Sequence, residues 1–176
     1  MLYRPAHSIE VILLYAVVGS DKRCLPMDFA LRKPDPKGAG HPCKTAIQQA
    51  QTMLIDLDNH LRIHGHTLKA HYLVADAWFA DAKLLWTVYR SDLIPIVRGK
   101  KSFVFESNRP GDTRQYSARE FLVRNQGTWR QSSQTPHRYR RLSLYSRTFD
   151  FVTLILFQRP TEPDPEYVLC LDPEVS

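Results

Sequence analysis

The stretch HYLVADAWFADAKLLWTVYR, residues 71–90, decides how the rest of the chain is organised. Its first part, residues 71–75, is a short apolar run with the length and branching of a buried strand. Its second part carries apolar residues at helical spacing, which predicts one shared helix face: Leu84, Leu85, Val88 and Tyr89. A single carboxylate, Asp76, stands between the two parts. The stretch therefore predicts a strand, a turn that holds one acid, and a helix.

Asp76 has two interpretations at such a junction. Open α/β sheets place their sites at the carboxyl ends of strands, so this carboxylate is a candidate for chemistry. Aspartate is also a good N-cap, and in that case Asp76 would only begin the following helix. The pattern itself leaves both interpretations open.

The segments around this stretch indicate an α/β fold. An apolar strand over residues 8–18 and a return strand over 24–31 predict an antiparallel hairpin, its first strand largely buried. A helix with an apolar stripe follows, from about residue 43 to 64, and Gly65 ends it. Residues 93–97 predict a further strand. This order is typical of a mixed sheet flanked by helices.

Helical periodicity disappears after residue 101. Short strand-like runs, separated by turn-forming residues, take its place. These runs cover residues 102–106, 115–123, 138–146, 149–158 and 166–171. We therefore predict antiparallel β structure over 102–176, in the same domain as residues 1–101.

Composition limits the class of protein. The 176 residues are 43% hydrophobic, which is enough for a sizeable core, and the net charge of +6 is compatible with a polyanionic partner. Three scattered cysteines fit a reducing compartment, and no apolar run is long enough to span a bilayer. We expect a cytoplasmic protein with no membrane partner. The sequence has no Gly-rich phosphate loop or nucleophile motif, so a small-molecule enzyme has little support.

Basic residues are concentrated in two segments. The segment HRYRRLSLYSR, residues 137–147, interleaves arginine with tyrosine, and RGKK, residues 98–101, follows the strand at 93–97. Arginine among aromatic residues suits phosphate contact and base stacking, although a solvated edge strand has the same composition. The candidate nucleic-acid contacts are Arg98, Lys100, Lys101, Arg138, Arg140, Arg141 and Arg147.

The run VADAWFADAKLLWTVYRSDLIPIVRGKKSFVFE, residues 74–106, resembles the middle of a DDE transposase of the insertion-sequence type. In that family an apolar strand ends in Asp, then come Trp and an aromatic residue, a helix, a strand and an Arg-x-Lys pair. The matching positions are Asp76, Trp78, Phe79, Arg98 and Lys100. The runs LPMDFALRKP, 25–34, and EYVLCLDPEVS, 166–176, resemble the family's flanking strands.

The resemblance implies a ribonuclease-H-like core over residues 1–101, with its first strand and last helix absent, and a β-rich insertion over 102–176. It implies that Asp76 is catalytic and ligates a metal. The family holds two Mg²⁺ or Mn²⁺ ions with two Asp and one Glu, because these hard ions prefer oxygen ligands. The implied partner is DNA at transposon ends.

The resemblance also implies an incomplete triad. The first Asp is expected before the strand at 8–18, and residues 1–7 contain no acid. The Glu belongs to a Tyr-x2-Arg-x3-Glu-x6-Lys helix that is expected beyond the last strand, and the sequence stops at Ser176. Tyr116 and Arg119 imitate the opening of that motif, but Val123 stands in the Glu position. The expected function is therefore a transposase fragment that is inactive alone and is marginally stable or self-associates. The alternative is a non-catalytic nucleic-acid-binding α/β domain.

Overall fold

The computed structural model describes residues 10–18, 22–32, 44–67, 70–107, 111–124, 128–162 and 164–171. Within these residues the chain is mixed α/β, with ten strands, three α-helices and one 3-10 helix. It divides into two compact units, residues 1–68 and 69–176. Residues 1–7, where the first Asp of the triad was expected and no acid occurs, lie outside the described residues. No helix in the described part is long and apolar enough to cross a membrane.

The first unit is a hairpin with a helix packed on it. Strands β1 (Glu10–Val18) and β2 (Arg23–Arg32) pair antiparallel, with a bulge between Leu14 and Tyr15. Helix α1 (Ala46–Ile63) begins in a capping box, in which Thr45 and Gln48 exchange hydrogen bonds. It ends before Gly65, whose φ of +71° is the left-handed conformation that glycine supplies there. The predicted hairpin and helix are both confirmed.

The prediction that the first strand is largely buried is wrong. Ile12 is buried, but the alternate residues of β1 are exposed, and so are Phe29 and Leu31 opposite them on β2. The exposed residues of β1 on this face are Val11, Leu13, Tyr15 and Val17. The reason is that β1 and β2 form a sheet of their own, and α1 packs on only one of its faces.

The second unit contains the remaining elements. They are β3 (Tyr72–Ala75), α2 (Ala82–Arg90), β4 (Ile94–Arg98), β5 (Val104–Glu106), β6 (Gln115–Ser117), α3 (Ala118–Arg124), β7 (Arg130–Gln131), β8 (Arg138–Ser146), β9 (Asp150–Gln158) and β10 (Glu166–Cys170). Six strands form one sheet in the order β3-β4-β10-β9-β8-β7, while β5 and β6 pair separately. Strands β3 and β4 are parallel and α2 connects them; the other pairs are antiparallel. A mixed sheet is therefore confirmed, but its strands differ from the predicted ones: β3 and β4 pair with strands of residues 102–176, and the β1–β2 hairpin forms a sheet of its own.

The core of this unit lies on one face of the six-stranded sheet. Helix α2 buries Leu84, Leu85 and Val88, but Tyr89, predicted on the same face, is 45% exposed. The rest of the cluster joins β5, β6 and α3 to the sheet through Phe105, Tyr116, Phe121, Leu144, Val152, Leu154, Leu156 and Leu169. The rings of Tyr116 and Phe121 meet edge to face, with centroids 5.7 Å apart.

The predicted strand over 115–123 is wrong after Ser117, where α3 begins. A capping box starts this helix. Glu120 Oε2 accepts hydrogen bonds from Ser117 N (2.7 Å) and Ser117 Oγ (2.8 Å), and these bonds hold the pKa of Glu120 below its usual range. Ser117 Oγ in turn accepts from Glu120 N at 3.3 Å. The Ser-x-x-Glu spacing is the signal that could have identified the helix from the sequence.

Candidate functional site

The strand register brings Asp76 and Arg98 to the same edge of the sheet. Ala75 pairs with Val97 in the parallel strands β3 and β4, so Asp76 and Arg98 are the next residues of adjacent strands. Neighbouring strands are about 4.8 Å apart. Both residues therefore lie at the carboxyl edge of the parallel pair, where α/β sheets commonly place their sites.

The carboxylate of Asp76 is exposed, and its structural role is limited to capping a 3-10 helix of three residues. Its Oδ1 accepts one hydrogen bond, from Ala77 N at 2.6 Å, and so caps the 3-10 helix Ala77–Phe79. Helix α2 has a different cap: Asp81 Oδ1 accepts from Lys83 N (2.9 Å) and Leu84 N (3.2 Å). Among the described residues no other hydrogen bond reaches this carboxylate, so most of its acceptor capacity is available.

Trp78 is a second feature of this edge, and it was not among the predicted site residues. It lies in the 3-10 helix directly after Asp76, and its side chain is 83% exposed. A tryptophan this exposed leaves a large aromatic surface in water, on which a flat ring of a ligand could stack. In the sequence analysis Trp78 stood only as a match to the family motif.

The basic loop after β4 is held against β10 by a glycine. Gly99 N donates to Tyr167 O at 2.6 Å, and a Cβ on Gly99 would lie 3.1 Å from Tyr167 Cβ. Lys101 Nζ lies 2.9 Å from Asp164 Oδ2, and this lysine holds the pKa of Asp164 below its usual range. Lys100 is exposed, and no carboxylate in the described ranges forms an ion pair with it.

Arg98 also has an acidic neighbour. Its Nε lies 4.0 Å from Glu166 Oε2, and Arg159 Nη2 lies 2.8 Å from Glu166 Oε1. The Arg98 side chain remains 59% exposed in this contact. The guanidinium is therefore accessible to a phosphate, although a ligand would compete with Glu166 for it.

The arginines of β8 are divided between the two faces of the sheet. Arg138 and Arg140 both lie over the ring of Trp129, with guanidinium carbons 5.7 and 5.8 Å from its centroid. Arg140 is only 5% exposed, and burial lowers its pKa. Arg138 is exposed and donates to Gln158 Oε1 at 3.0 Å. Trp129, which organises this cluster, was not predicted from the sequence.

Arg141 lies on the opposite face from Arg140, because successive side chains of a strand alternate. It is exposed, and within the described parts of the chain no carboxylate forms an ion pair with it. Arg147, in the turn after β8, is held by Glu106: the Nε–Oε1 distance is 2.8 Å, and this partner raises the pKa of Arg147. The seven predicted basic residues thus occupy several places and do not form one patch.

The described residues do not by themselves fit a two-metal centre. Such a centre needs several oxygen ligands, and Asp76 is one. Among the described residues, no three His, Cys, Asp or Glu side chains lie close enough together to hold a metal ion. Asp76 could contribute one ligand, but no chemical step follows from the donors present.

The site can therefore do two things physically. Its exposed cations and Trp78 offer contacts to a polyanion with aromatic bases, and Asp76 offers one hard oxygen ligand. No protein-family model matches the sequence, and no curated protein matches it.

Proposed function

We propose that this chain is part of a DDE-type DNA transposase of the cytoplasm, with a ribonuclease-H-like core, and that it contacts DNA through its exposed basic residues. The observation that carries the proposal is the junction after β3. Asp76 is an exposed carboxylate at the carboxyl end of a strand, it is not needed to cap α2, and Arg98 stands at the same edge on the parallel strand.

The surroundings of Asp76 support a phosphodiester ligand. Arg98 supplies exposed positive charge at the same sheet edge as the carboxylate, and Lys100 is exposed two residues later; phosphate is the group that such charges position. Trp78 adds an aromatic surface on which a base could stack. Cleavage and strand transfer would need two metal ions, and so carboxylates in addition to Asp76. We therefore propose that the described residues bind DNA and do not cleave it alone.

The salt dependence of DNA binding tests the binding half of this proposal. We expect the affinity for a labelled duplex, measured by fluorescence anisotropy, to fall steeply between roughly 50 and 200 mM NaCl. The reason is that each phosphate contact contributes about −0.9 to the slope of log binding constant against log salt concentration. Lys100→Ala should reduce the slope by about one. Lys44→Ala, which removes an exposed lysine of the first unit, is the matched control. Binding that is absent, or indifferent to salt, would sink the proposal.

A nicking assay tests the catalytic half. Supercoiled DNA incubated with the chain and Mn²⁺ should stay intact, because the described residues bring no three metal-ligating side chains together and Asp76 alone cannot hold two ions. If the DNA is nicked and Asp76→Asn abolishes the nicking, the other acids are present in this chain and the proposed deficit is wrong. Nicking that survives Asp76→Asn would indicate a contaminating nuclease or a different site.

One observation favours a second function, a non-catalytic nucleic-acid-binding domain. Arg138 is exposed beside Trp129, and Arg141 is exposed on the other face of β8, both outside the strand junction at Asp76. The two functions differ in what they require of Asp76. If Asp76 serves as a metal ligand beside DNA, Mn²⁺ should strengthen DNA binding by the wild type more than by Asp76→Asn. Under the alternative, Mn²⁺ should affect both proteins equally.

A further inference from the structure

The face of strands β8 and β9 that points away from the core carries an unusual set of side chains. The core face buries Leu144, Val152 and Leu154. Because side chains alternate along a strand, the residues between them point to the other side. Those that are exposed there are Arg141, Ser143, Tyr145 and Phe151.

Tyr145 and Phe151 form an exposed aromatic pair on this face. They are directly opposite each other in the register of β8 and β9, and their ring centroids are 5.1 Å apart at an interplanar angle of 65°. Phe151 is 65% exposed and Tyr145 is 37% exposed. The two rings hold each other in place while leaving π-surface open to solvent, which is a geometry suited to receiving another flat ring.

A positive charge and a hydroxyl accompany the rings. Arg141 lies four residues before Tyr145 on the same side of β8, about 13 Å away along the strand. No carboxylate of the described ranges pairs with it. Ser143 lies between them on the same side and is exposed. The strip thus runs from the exposed guanidinium of Arg141, past the hydroxyl of Ser143, to the two exposed rings of Tyr145 and Phe151.

We propose that this strip, Arg141, Ser143, Tyr145 and Phe151, binds single-stranded nucleic acid, with bases stacked on the two rings and a backbone phosphate at Arg141. Rings on an open sheet face can reach bases only where those bases are unpaired and accessible, since a duplex keeps its bases stacked inside. The inference rests on the proposed nucleic-acid-binding function and adds the strand state of the ligand.

The charge on the strip favours this occupant over a second copy of the chain. The four strip residues include one arginine and no carboxylate, so the same strip of a second copy would offer Arg141 no opposite charge. A polyanion complements that charge instead.

The experiment compares single-stranded with duplex binding in variants that lose a ring. Phe151→Leu and Tyr145→Leu remove the aromatic surface but keep apolar bulk, and Tyr72→Leu, at another exposed tyrosine, is the matched control. Affinities are measured for labelled oligothymidylate, oligouridylate and a duplex, after circular dichroism shows that each variant is folded. We expect Phe151→Leu to weaken binding of either single strand by about tenfold, while duplex binding changes by less than about twofold. Tyr72→Leu should change neither.

The outcomes separate this inference from the function on which it rests. If single-strand affinity is unchanged in both variants while the duplex still binds with salt dependence, the strip is not a binding surface and the proposed function stands. If no nucleic acid binds at all, the proposed function and this inference both fail. A wild-type dimer that Phe151→Leu dissociates without nucleic acid would also overturn the inference. If Phe151→Leu weakens single-strand binding as expected, a wild-type preference for oligothymidylate or for oligouridylate that the variant loses identifies DNA or RNA as the ligand.

Discussion

Asp76 and Asp81 lie five residues apart and cap two different helices. The carboxylate of Asp76 accepts one hydrogen bond, from the residue that follows it, at the start of the 3-10 helix. Asp81 accepts two, from Lys83 N and Leu84 N, in the first turn of α2. The structural role that the sequence allowed for Asp76 therefore falls mainly to Asp81. This leaves the carboxylate at the end of β3 accessible to a ligand.

This division of roles predicts different effects on stability. Asp81→Ala should lower the free energy of unfolding by about 1 kcal/mol, since it leaves two N–H groups of α2 without their acceptor. Asp76→Ala should cost less than about half of that, because it removes one bond at a single-turn helix. Urea denaturation followed by circular dichroism measures both. An equal cost for the two variants would mean that Asp76 is primarily structural.

The sequence predicts the regular elements well where hydrophobic periodicity is long enough to be distinctive. The strand–helix–strand unit from β3 to β4 and the β8–β9 pair both lie within a residue or two of their predicted places. Helix α3 was missed because seven residues are too short for periodicity to separate a helix from a strand. The separation of the β1–β2 hairpin from the larger sheet was missed because strand pairing depends on distant segments.

The residue types of the candidate site could be predicted from the sequence, but the face of the sheet on which each side chain lies could not. Alternation indicates that Arg140 and Arg141 point to opposite sides of a strand, but not which side faces the core. Arg140 is buried beside the ring of Trp129, a residue eleven positions earlier in the sequence that the fold brings into contact with it. The exposure of Trp78 and Phe151 could not be predicted either, since aromatic residues in apolar runs are usually buried.

Asp112 should make stability depend on pH in the acid range. Its carboxylate accepts hydrogen bonds from Arg114 Nε (2.8 Å), Tyr116 Oη (2.9 Å) and Ser107 Oγ (3.0 Å). The Arg114 side chain is the main cause that holds the pKa of Asp112 well below its usual range. The folded state therefore binds this proton less readily than the unfolded chain. The resulting stability is complete above about pH 4 and is lost as the pH falls further toward the folded pKa.

Asp112→Asn tests this dependence. At pH 7 the variant should unfold at a lower urea concentration than the wild type. The difference between the two urea midpoints should become smaller below about pH 4. Asp164→Asn is the control, because its partner Lys101 also lowers its pKa but its side chain is 76% exposed. It should show a smaller gap at pH 7. A gap for Asp112→Asn that stays constant from pH 7 to pH 3 would contradict the predicted linkage.

The exposed face of the β1–β2 hairpin should make the chain self-associate. Leu13 and Phe29 are opposite each other in this sheet and both are exposed, so their apolar surfaces remain in water. We expect the wild type to sediment as a concentration-dependent mixture and Leu13→Thr/Phe29→Thr to shift it toward monomer. Ile63→Thr, at an exposed apolar residue of α1, is the control. A monomeric wild type with a sharp, concentration-independent melt would rule this out.

Substitutions at Arg140 and Arg141 should affect different properties, stability at Arg140 and nucleic-acid binding at Arg141. Arg141→Gln removes an exposed charge, so the salt slope of oligothymidylate binding should fall by about 0.7 while the free energy of unfolding changes by less than about 0.5 kcal/mol. Arg140→Gln removes a buried guanidinium from the ring of Trp129 and should cost about 1 kcal/mol of stability without changing the slope. Anisotropy titrations and urea denaturation measure the two effects. Equal slope changes in both variants would show that Arg140 leaves its buried position to contact the ligand.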